Sequence, residues 1–354
     1  MARGLQDFHR HQTSLPPIRI GIAGSGRIVR LAHLKALQSD PRARVVAVGD
    51  PDPGARPYLT QHAPTATYFP SFEAMLSDAE LDAVVIAVPA LLHLAAASLA
   101  FDRGLHVYLE KPIAASVEDG EAIVAAWRRA GTIGRIGFNC RFNALYRELQ
   151  VGVAGGRIGN PVAVRTALTA CWPAEATWRL SPSGGGGALL ELASHHVDLL
   201  RFVFGTEIAD VSAASWSNRG DDEAAMLQLT LANGVHVQTL VTYGTAEEDR
   251  FEVYGSDGKL VIDRYNSLVV EQVPLRATGG IAASIRRAAR EVRALPYGLV
   301  KRRAPGQEPS FAASLHAFIS AIRDGRDGSP TLEDGLASLR VIDAARQMTS
   351  AVGA

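Results

Sequence analysis

Ile18-Arg19-Ile20-Gly21-Ile22-Ala23 runs directly into Gly24-Ser25-Gly26-Arg27-Ile28. A short β-branched apolar run that stops at two glycines reads as a buried strand entering a tight turn. Helical apolar spacing follows from Ile28 to Leu37. A strand, a Gly-x-Gly turn and a helix in that order form the phosphate-binding start of a dinucleotide fold. There the backbone must turn sharply and approach a pyrophosphate, and the helix N-terminus offers unpaired N–H groups to it. The third fingerprint position is Val29 rather than Gly or Ala. Asp50 ends the next β-branched run, Arg44 to Gly49, where an acidic side chain reaches an adenosine ribose. A carboxylate there accepts from both ribose hydroxyls and repels a 2′-phosphate, which favours NAD over NADP. Arg27 and Arg56 are the side chains that would instead accommodate the phosphate.

Outward from this unit, strands and helices alternate. Ala83–Val88, His106–Leu109 and Ile133–Phe138 read as strands, and Leu92–Phe101 and Val117–Ala130 as helices. Alternation of this kind predicts a parallel sheet covered on both faces. After Asn139 the texture changes. Seven runs, Val162–Trp172, Ile208–Trp216, Ala224–Leu231, Val235–Tyr243, Phe251–Tyr254, Lys259–Ile262 and Leu268–Val273, read as consecutive strands, many with period-two alternation. They predict an open, mainly antiparallel sheet. The expected organisation is a tail over 1–16, a Rossmann domain over 17–139 and a substrate and oligomerisation domain over 140–354. The last ends in a helix over 331–352 that Thr331 and Asp334 can cap.

Composition bounds the partners. The chain has 354 residues, 36 Lys+Arg against 36 Asp+Glu, and two cysteines, Cys140 and Cys171. Balanced charge argues against nucleic acid or an anionic membrane surface as a partner held by bulk charge. Two cysteines give no disulfide framework and suit a reducing cytoplasm. The first residues carry no apolar core of a secretory signal, and the most apolar stretch, Leu81–Phe101, is broken by Pro89 and His93. Within 281–303, seven Lys and Arg residues stand against Glu291. A solvated helix and loop, a lid, and a subunit contact are all open readings of that segment.

Two further stretches carry chemistry. Glu110-Lys111-Pro112 follows the strand His106–Leu109, and ligands of open parallel sheets bind beyond the carboxyl ends of their strands. A cation at Lys111 can stabilise a developing alkoxide. Gly184–Gly187 leads into a helix on which Glu191, His195 and Asp198 fall at i, i+4 and i+7, one polar stripe among Leu, Val and Phe. His195 is the natural general base, with Glu191 to orient it and His196 as an alternative base. A core histidine paired to a carboxylate is the structural alternative. A metal on Glu191, His195 and Asp198 is not expected, because no His or Cys cluster completes the set.

Taken together, these residues resemble the glucose–fructose oxidoreductase / inositol dehydrogenase / MocA family. The resemblance runs through Gly24–Ile28, Asp50-Pro51-Asp52, Val88-Pro89 with His93, Glu110-Lys111-Pro112, Gly137-Phe138-Asn139 with Arg141-Phe142, Trp178-Arg179, the Gly-rich run into Glu191, His195 and Asp198, and Thr331–Gly335. It implies a Rossmann domain followed by an open-sheet domain that often makes the subunit interface, hence a homodimer or homotetramer. It implies hydride transfer between nicotinamide and a secondary alcohol or ketone of a sugar, inositol or sugar derivative. Gly24, Ser25, Gly26, Arg27, Ile28, Asp50, Pro89, His93, Glu110 and Lys111 would meet the cofactor. Lys111, His195 and Glu191 would form the catalytic set, Glu191 standing where the family usually has Asp. Asn139, Trp178, Arg179 and His196 would line the substrate pocket. Ala90 stands where many members carry Asn. Three rival readings are a redox-assisted enzyme that ends in elimination, hydrolysis or epimerisation, an NAD-binding sensor without catalysis, and a scaffold held together by its sheet.

Overall fold

β1 (Ile18–Ala23) is buried along almost its whole length because neighbours flank it on both edges. The computed structural model describes residues 15–172, 186–217, 222–276, 285, 288, 289 and 291–352. Two compact units divide the chain. The first takes the described residues up to Ala114, with Glu118–Gly137 and Phe311–Leu336. The second takes Ala115–Val117, Phe138–Ser310 and the residues from Ala337 onward.

In the first unit, β2 (Ala43–Gly49), β3 (Thr67–Phe69), β4 (Ala83–Ile86), β5 (His106–Leu109) and β6 (Gly134–Ile136) join β1 in one sheet of order β3-β2-β1-β4-β5-β6. Every pairing is parallel. This is the doubly wound dinucleotide order, with its switch point between β1 and β4. Helix α1 follows β1 and is built from a π segment, Val29–His33, continued by an α segment, Leu34–Ser39. The remaining helices are α2 (Ala55–His62), α3 (Phe72–Asp78), α4 (His93–Asp102) and α5 (Val117–Ala130). The sequence pattern predicts neither α2 nor β3. Pro57 lies within the first, and the second has only three residues, too few to show a period.

Most of α9 (Ser310–Asp324), from Phe311 on, belongs to this first unit, where Leu315, Phe318 and Ile319 are buried with Ile18, Ile20 and Val45. The sequence pattern predicts a single domain over 140–354. The apolar face of α9 is what brings Phe311–Leu336 into the first unit instead.

The second unit holds α6 (Ala144–Ala154), β7 (Pro161–Ala170), α7, β8 (Ile208–Trp216), β9 (Ala224–Leu231), β10 (His236–Tyr243), β11 (Glu248–Gly255), β12 (Gly258–Asp263), β13 (Glu271–Pro274) and α8 (Leu295–Arg303). α7 also starts as a π segment, Leu189–Ala193, and continues as Ser194–Phe204. The strands form one sheet of order β13-β12-β11-β7-β10-β9-β8. All its pairings are antiparallel except β7–β10. Period-two alternation buries Val164, Thr166, Leu168, Val237, Thr239, Val241 and Phe251 on one face, under α6 and α7. The closing helix α10 (Leu332–Val352) starts where Asp334 accepts a hydrogen bond from the Thr331 amide at 2.9 Å. That bond is one half of the capping box expected there. Among the described residues no helix is long and apolar enough to cross a membrane.

Candidate active site

In the first unit the strand ends carry the site. Gly24 stands at φ +85°, and a Cβ on it would lie 2.7 Å from the Ala87 carbonyl oxygen. Only glycine suits that conformation next to that carbonyl. Gly26 is different, because a Cβ there would meet no described atom within 4 Å. The protein's own packing does not demand glycine at 26, whereas close approach of a pyrophosphate to the backbone does. α1 begins at once, with the Arg30 amide donating to the Gly26 carbonyl at 3.2 Å. Arg27 is exposed and Ile28 half-buried on the first turn. This cradle fits a dinucleotide.

Asp50 sits at the end of β2, the strand beside β1. Its Oδ2 accepts from the Ser25 amide at 2.6 Å and the Ser25 hydroxyl at 2.7 Å, and its Oδ1 accepts from the Asp52 amide at 2.8 Å. The carboxylate thereby stands beside the turn that would hold the pyrophosphate. Arg56 is exposed, its guanidinium 5.7 Å from the centre of the Tyr68 ring. Tyr68 in turn donates to the Asp50 carbonyl at 2.6 Å.

Pro89 is half-buried after β4 and opens a short 3-10 turn over Ala90–Leu92. His93, read from the sequence as a cofactor contact, is only 1 % exposed. Its Nδ1 faces the Pro112 carbonyl at 2.9 Å and its Nε2 the Val88 carbonyl at 2.9 Å. Burial lowers its pKa, against the opposing pull of those carbonyls. The neutral ring carries one N–H, so His93 donates to one of these two carbonyls and is buried between the segment before Pro89 and the segment after Lys111. Lys111 is half-buried past the end of β5, and its bond to Pro112 is cis. Glu110 accepts at Oε2 from the Lys111 amide at 3.3 Å, and its Oε1 lies 2.6 Å from His33 Nε2.

In the second unit α7 carries Glu191, His195, His196 and Asp198. Glu191 is buried within the π segment, its amide donating to the Gly187 carbonyl at 2.9 Å. His195 is half-buried, with Nδ1 4.0 Å from Cys140 Sγ. Burial pushes the Cys140 thiol well above its ordinary pKa, so the thiol stays neutral.

Asp198 does not share the polar stripe. Arg141 takes both its oxygens, Nε to Oδ2 at 2.9 Å and Nη2 to Oδ1 at 2.5 Å. The widened π turn, Leu189–Ala193, shifts the helical phase of Glu191 relative to His195 and Asp198, which both lie in the α segment after it.

His196 is also placed otherwise than expected. It is fully buried, and Nε2 bonds Asp249 Oδ1 on β11 at 3.0 Å. Successive helical residues point about 100° apart, so a half-open His195 leaves its neighbour facing the sheet. Asp249 also accepts from Tyr146 and Arg264. Burial alone would raise its pKa, but Arg264, His196 and Tyr146 hold it well below the usual carboxylate range. This is the core pairing named as the structural alternative for a histidine on this helix.

Asn139 is buried in a 3-10 turn and donates to Ser310 Oγ at 2.8 Å. Trp178 and Arg179 lie outside the described residues, as do Arg286, Arg287 and Arg290 of the basic segment 281–303. Within that segment Lys301 is buried and caps the Arg264 and Tyr265 carbonyls at 2.5 and 2.7 Å. Among the described residues no three His, Cys, Asp or Glu side chains stand where they could hold a metal ion.

The sequence reading missed His33. A lone histidine among Val29, Leu31, Ala32 and Leu34 was as visible a signal as the histidines of α7.

Residues 18–138 match the family described as "Oxidoreductase family, NAD-binding Rossmann fold", and residues 146–261 match the "GFO/IDH/MocA C-terminal domain". The chain is 29% identical over 330 residues to 1,5-anhydro-D-fructose reductase of Ensifer adhaerens, covering 91% of this chain and 93% of that one. It is 26% identical over 341 residues to inositol 2-dehydrogenase of Rhizobium meliloti, covering 93% and 96%. Among solved structures it is similar to the WlbA dehydrogenase of Bordetella pertussis, crystallised with NADH and UDP-GlcNAcA. There the TM-score is 0.80 at 25% identity, with 95% of this chain and 96% of that chain covered.

Proposed function

Because this chain belongs to the Gfo/Idh/MocA family of NAD-binding oxidoreductases, we propose that it moves a hydride between NAD and a secondary alcohol or ketone of a sugar, inositol or sugar derivative. The observation that carries the reading is the turn at Gly24–Gly26. Its glycine at 26 has no packing reason, and Asp50 is hydrogen-bonded to Ser25 inside it. NAD is favoured over NADP because the Asp50 carboxylate repels a 2′-phosphate. The names of the relatives, an anhydrofructose reductase and an inositol dehydrogenase, support a polyhydroxylated substrate.

Bound NAD supplies a two-electron hydride acceptor or donor at its nicotinamide. The Lys111 ammonium stabilises the oxygen as it gains negative charge. His195 takes the hydroxyl proton during oxidation and returns it during reduction. Glu191 orients His195, and Asn139, Trp178 and Arg179 shape the pocket. The exposed sheet face, with Trp216 on β8 and Met226 on β9, supports a homodimer or homotetramer.

The test is to mix the protein with NAD or NADP and a panel of inositols, aldoses and sugar acids and follow NADH absorbance. Reduction with one substrate, lost in Lys111→Ala, supports the reading. If neither cofactor binds, the reading is wrong.

A further inference from the structure

His33 lies 77 residues before Glu110, yet its Nε2 is 2.6 Å from Glu110 Oε1. The imidazole is fully buried, set edge-on to the Tyr108 and Phe311 rings. Its Nδ1 has no hydrogen-bond partner among the described residues. A neutral imidazole carries one N–H. A proton on Nδ1 would bury an unpaired donor and set the Nε2 lone pair against a carboxylate oxygen. The proton therefore sits on Nε2 and is donated to Glu110.

The other Glu110 oxygen accepts from the Lys111 amide. Behind the carboxylate there is no slack, because a Cβ on Gly137 would lie 2.9 Å from its Cδ and from both oxygens. The carboxylate is thus held on three sides: by His33, by the Lys111 backbone and by the bare Cα of Gly137. His33 is the last residue of the π segment of α1, the helix that starts at the dinucleotide turn. The Leu34 amide reaches back five residues to the Val29 carbonyl, and π turns of this kind recur at functional sites.

We propose that His33 is a positioning residue. Through Glu110 it fixes the backbone of Lys111 and ties that placement to the helix rooted in the dinucleotide turn. This rests on the reading of Lys111 as the alkoxide-stabilising group.

The test compares the full chain with His33→Leu and His33→Gln, since a glutamine amide can still donate to Glu110. Three quantities are measured: steady-state kinetics, NADH affinity by fluorescence, and hydrogen exchange of the peptide 108–116 without cofactor. In His33→Leu, kcat should fall roughly ten- to hundredfold while substrate KM and NADH Kd stay within about threefold. Exchange across 108–116 should quicken by roughly tenfold. His33→Gln should restore most of both.

Unchanged kcat and exchange in His33→Leu overturn the proposal. So does a loss that glutamine does not rescue and that takes NADH binding and thermal stability with it, the mark of a plain core residue. Lys111→Ala is run alongside. If it keeps full turnover, the reading of Lys111 is at fault, and exchange still decides whether His33 holds the segment. If it loses turnover while His33→Leu does not, only the positioning role fails.

Discussion

Ser25 closes on Asp50 with two donors, its amide at 2.6 Å and its hydroxyl at 2.7 Å, both to Oδ2. The turn that would hold a pyrophosphate and the carboxylate that would hold a ribose are thus one hydrogen-bonded unit. Asp50→Ala removes the acceptor for ribose hydroxyls and the negative charge together. Hydrogen bonds to charged groups contribute about 1.5–3 kcal/mol, so NADH Kd should rise roughly ten- to hundredfold. NADPH Kd should fall, because the repulsion is gone. Ser25→Ala removes one donor and keeps the charge, so the preference for NADH over NADPH should persist. Fluorescence titration of all three proteins with both cofactors checks this. An Asp50→Ala protein that still prefers NADH as strongly would remove Asp50 from cofactor choice.

Lys111 is half-buried past the end of β5, in a segment held by Glu110 and His93. Lys111→Ala should lower kcat about 10²–10³-fold, the usual scale for loss of one group that stabilises a developing oxyanion. NADH affinity should change by less than about fivefold, since Gly24–Gly26 and Asp50 are untouched. Stopped-flow single turnover separates the chemical step from release. A loss confined to release would move Lys111 out of the chemistry.

Arg141 and Asp198 form a buried bidentate pair, their side chains 7% and 1% exposed. Arg141→Met takes the bidentate partner from a carboxylate buried in the second unit, which keeps Arg201 Nη1 at 3.9 Å. Breaking one side of such a pair costs about 3–5 kcal/mol. The double variant Arg141→Met/Asp198→Leu removes both charges and should recover most of that loss. Urea unfolding of Arg141→Met, Asp198→Leu and the double variant measures it, and single losses that simply add up to the double would show that the pair carries no coupling.

These pairs explain what could be read in the sequence and what could not. Ile18–Ala23, Val117–Ala130, Ile208–Trp216 and Ala224–Leu231 coincide with strands and a helix read from period and composition alone. Local periodicity sets those bounds, so a sequence displays them. Glycine turns also announce themselves, and Gly24–Gly26 is where the pattern put it. By contrast, His33 finds Glu110 77 positions away, Arg141 finds Asp198 57 away, and His196 finds Asp249 53 away. Nothing in the periodicity of α7 says which polar residue meets a partner on β11 and which stays half-open. The π segments hide as well, because one widened turn rephases every later residue while leaving composition unchanged.

Met226 is 44% exposed on β9, paired with Leu240 of β10 and Ala214 of β8. If the open sheet face joins subunits, Met226→Glu puts a carboxylate into the apolar contact, and an isologous contact repeats it on both subunits. Sedimentation velocity should then show the smaller species, with the far-UV circular dichroism unchanged. An assembly of unaltered mass would take this face out of the interface.

Acid should weaken the fold in two stages. Burial lowers the pKa of His93 and His106 below the usual imidazole value of 6.5. Below that pH the unfolded chain binds protons that the folded chain refuses, so stability falls as pH falls. The second stage comes from carboxylates. Burial alone would raise the pKa of Glu252, but hydrogen bonds from Arg250 and Tyr254 and the charges of Lys259 and Arg165 hold it at about 2, against a usual 4.5. Asp249 is depressed in the same direction by Arg264, His196 and Tyr146. Their contribution is complete above the usual carboxylate range and is lost as pH drops from about 4.5 toward 2. Urea midpoints should therefore be level between about pH 7 and pH 8, decline gently below about pH 6.5, and decline steeply below about pH 4.5. His93→Gln should flatten the first limb relative to its own value at pH 8 and leave the second in place. A midpoint that rises between pH 8 and pH 5 would mean that these imidazoles are not held neutral by burial.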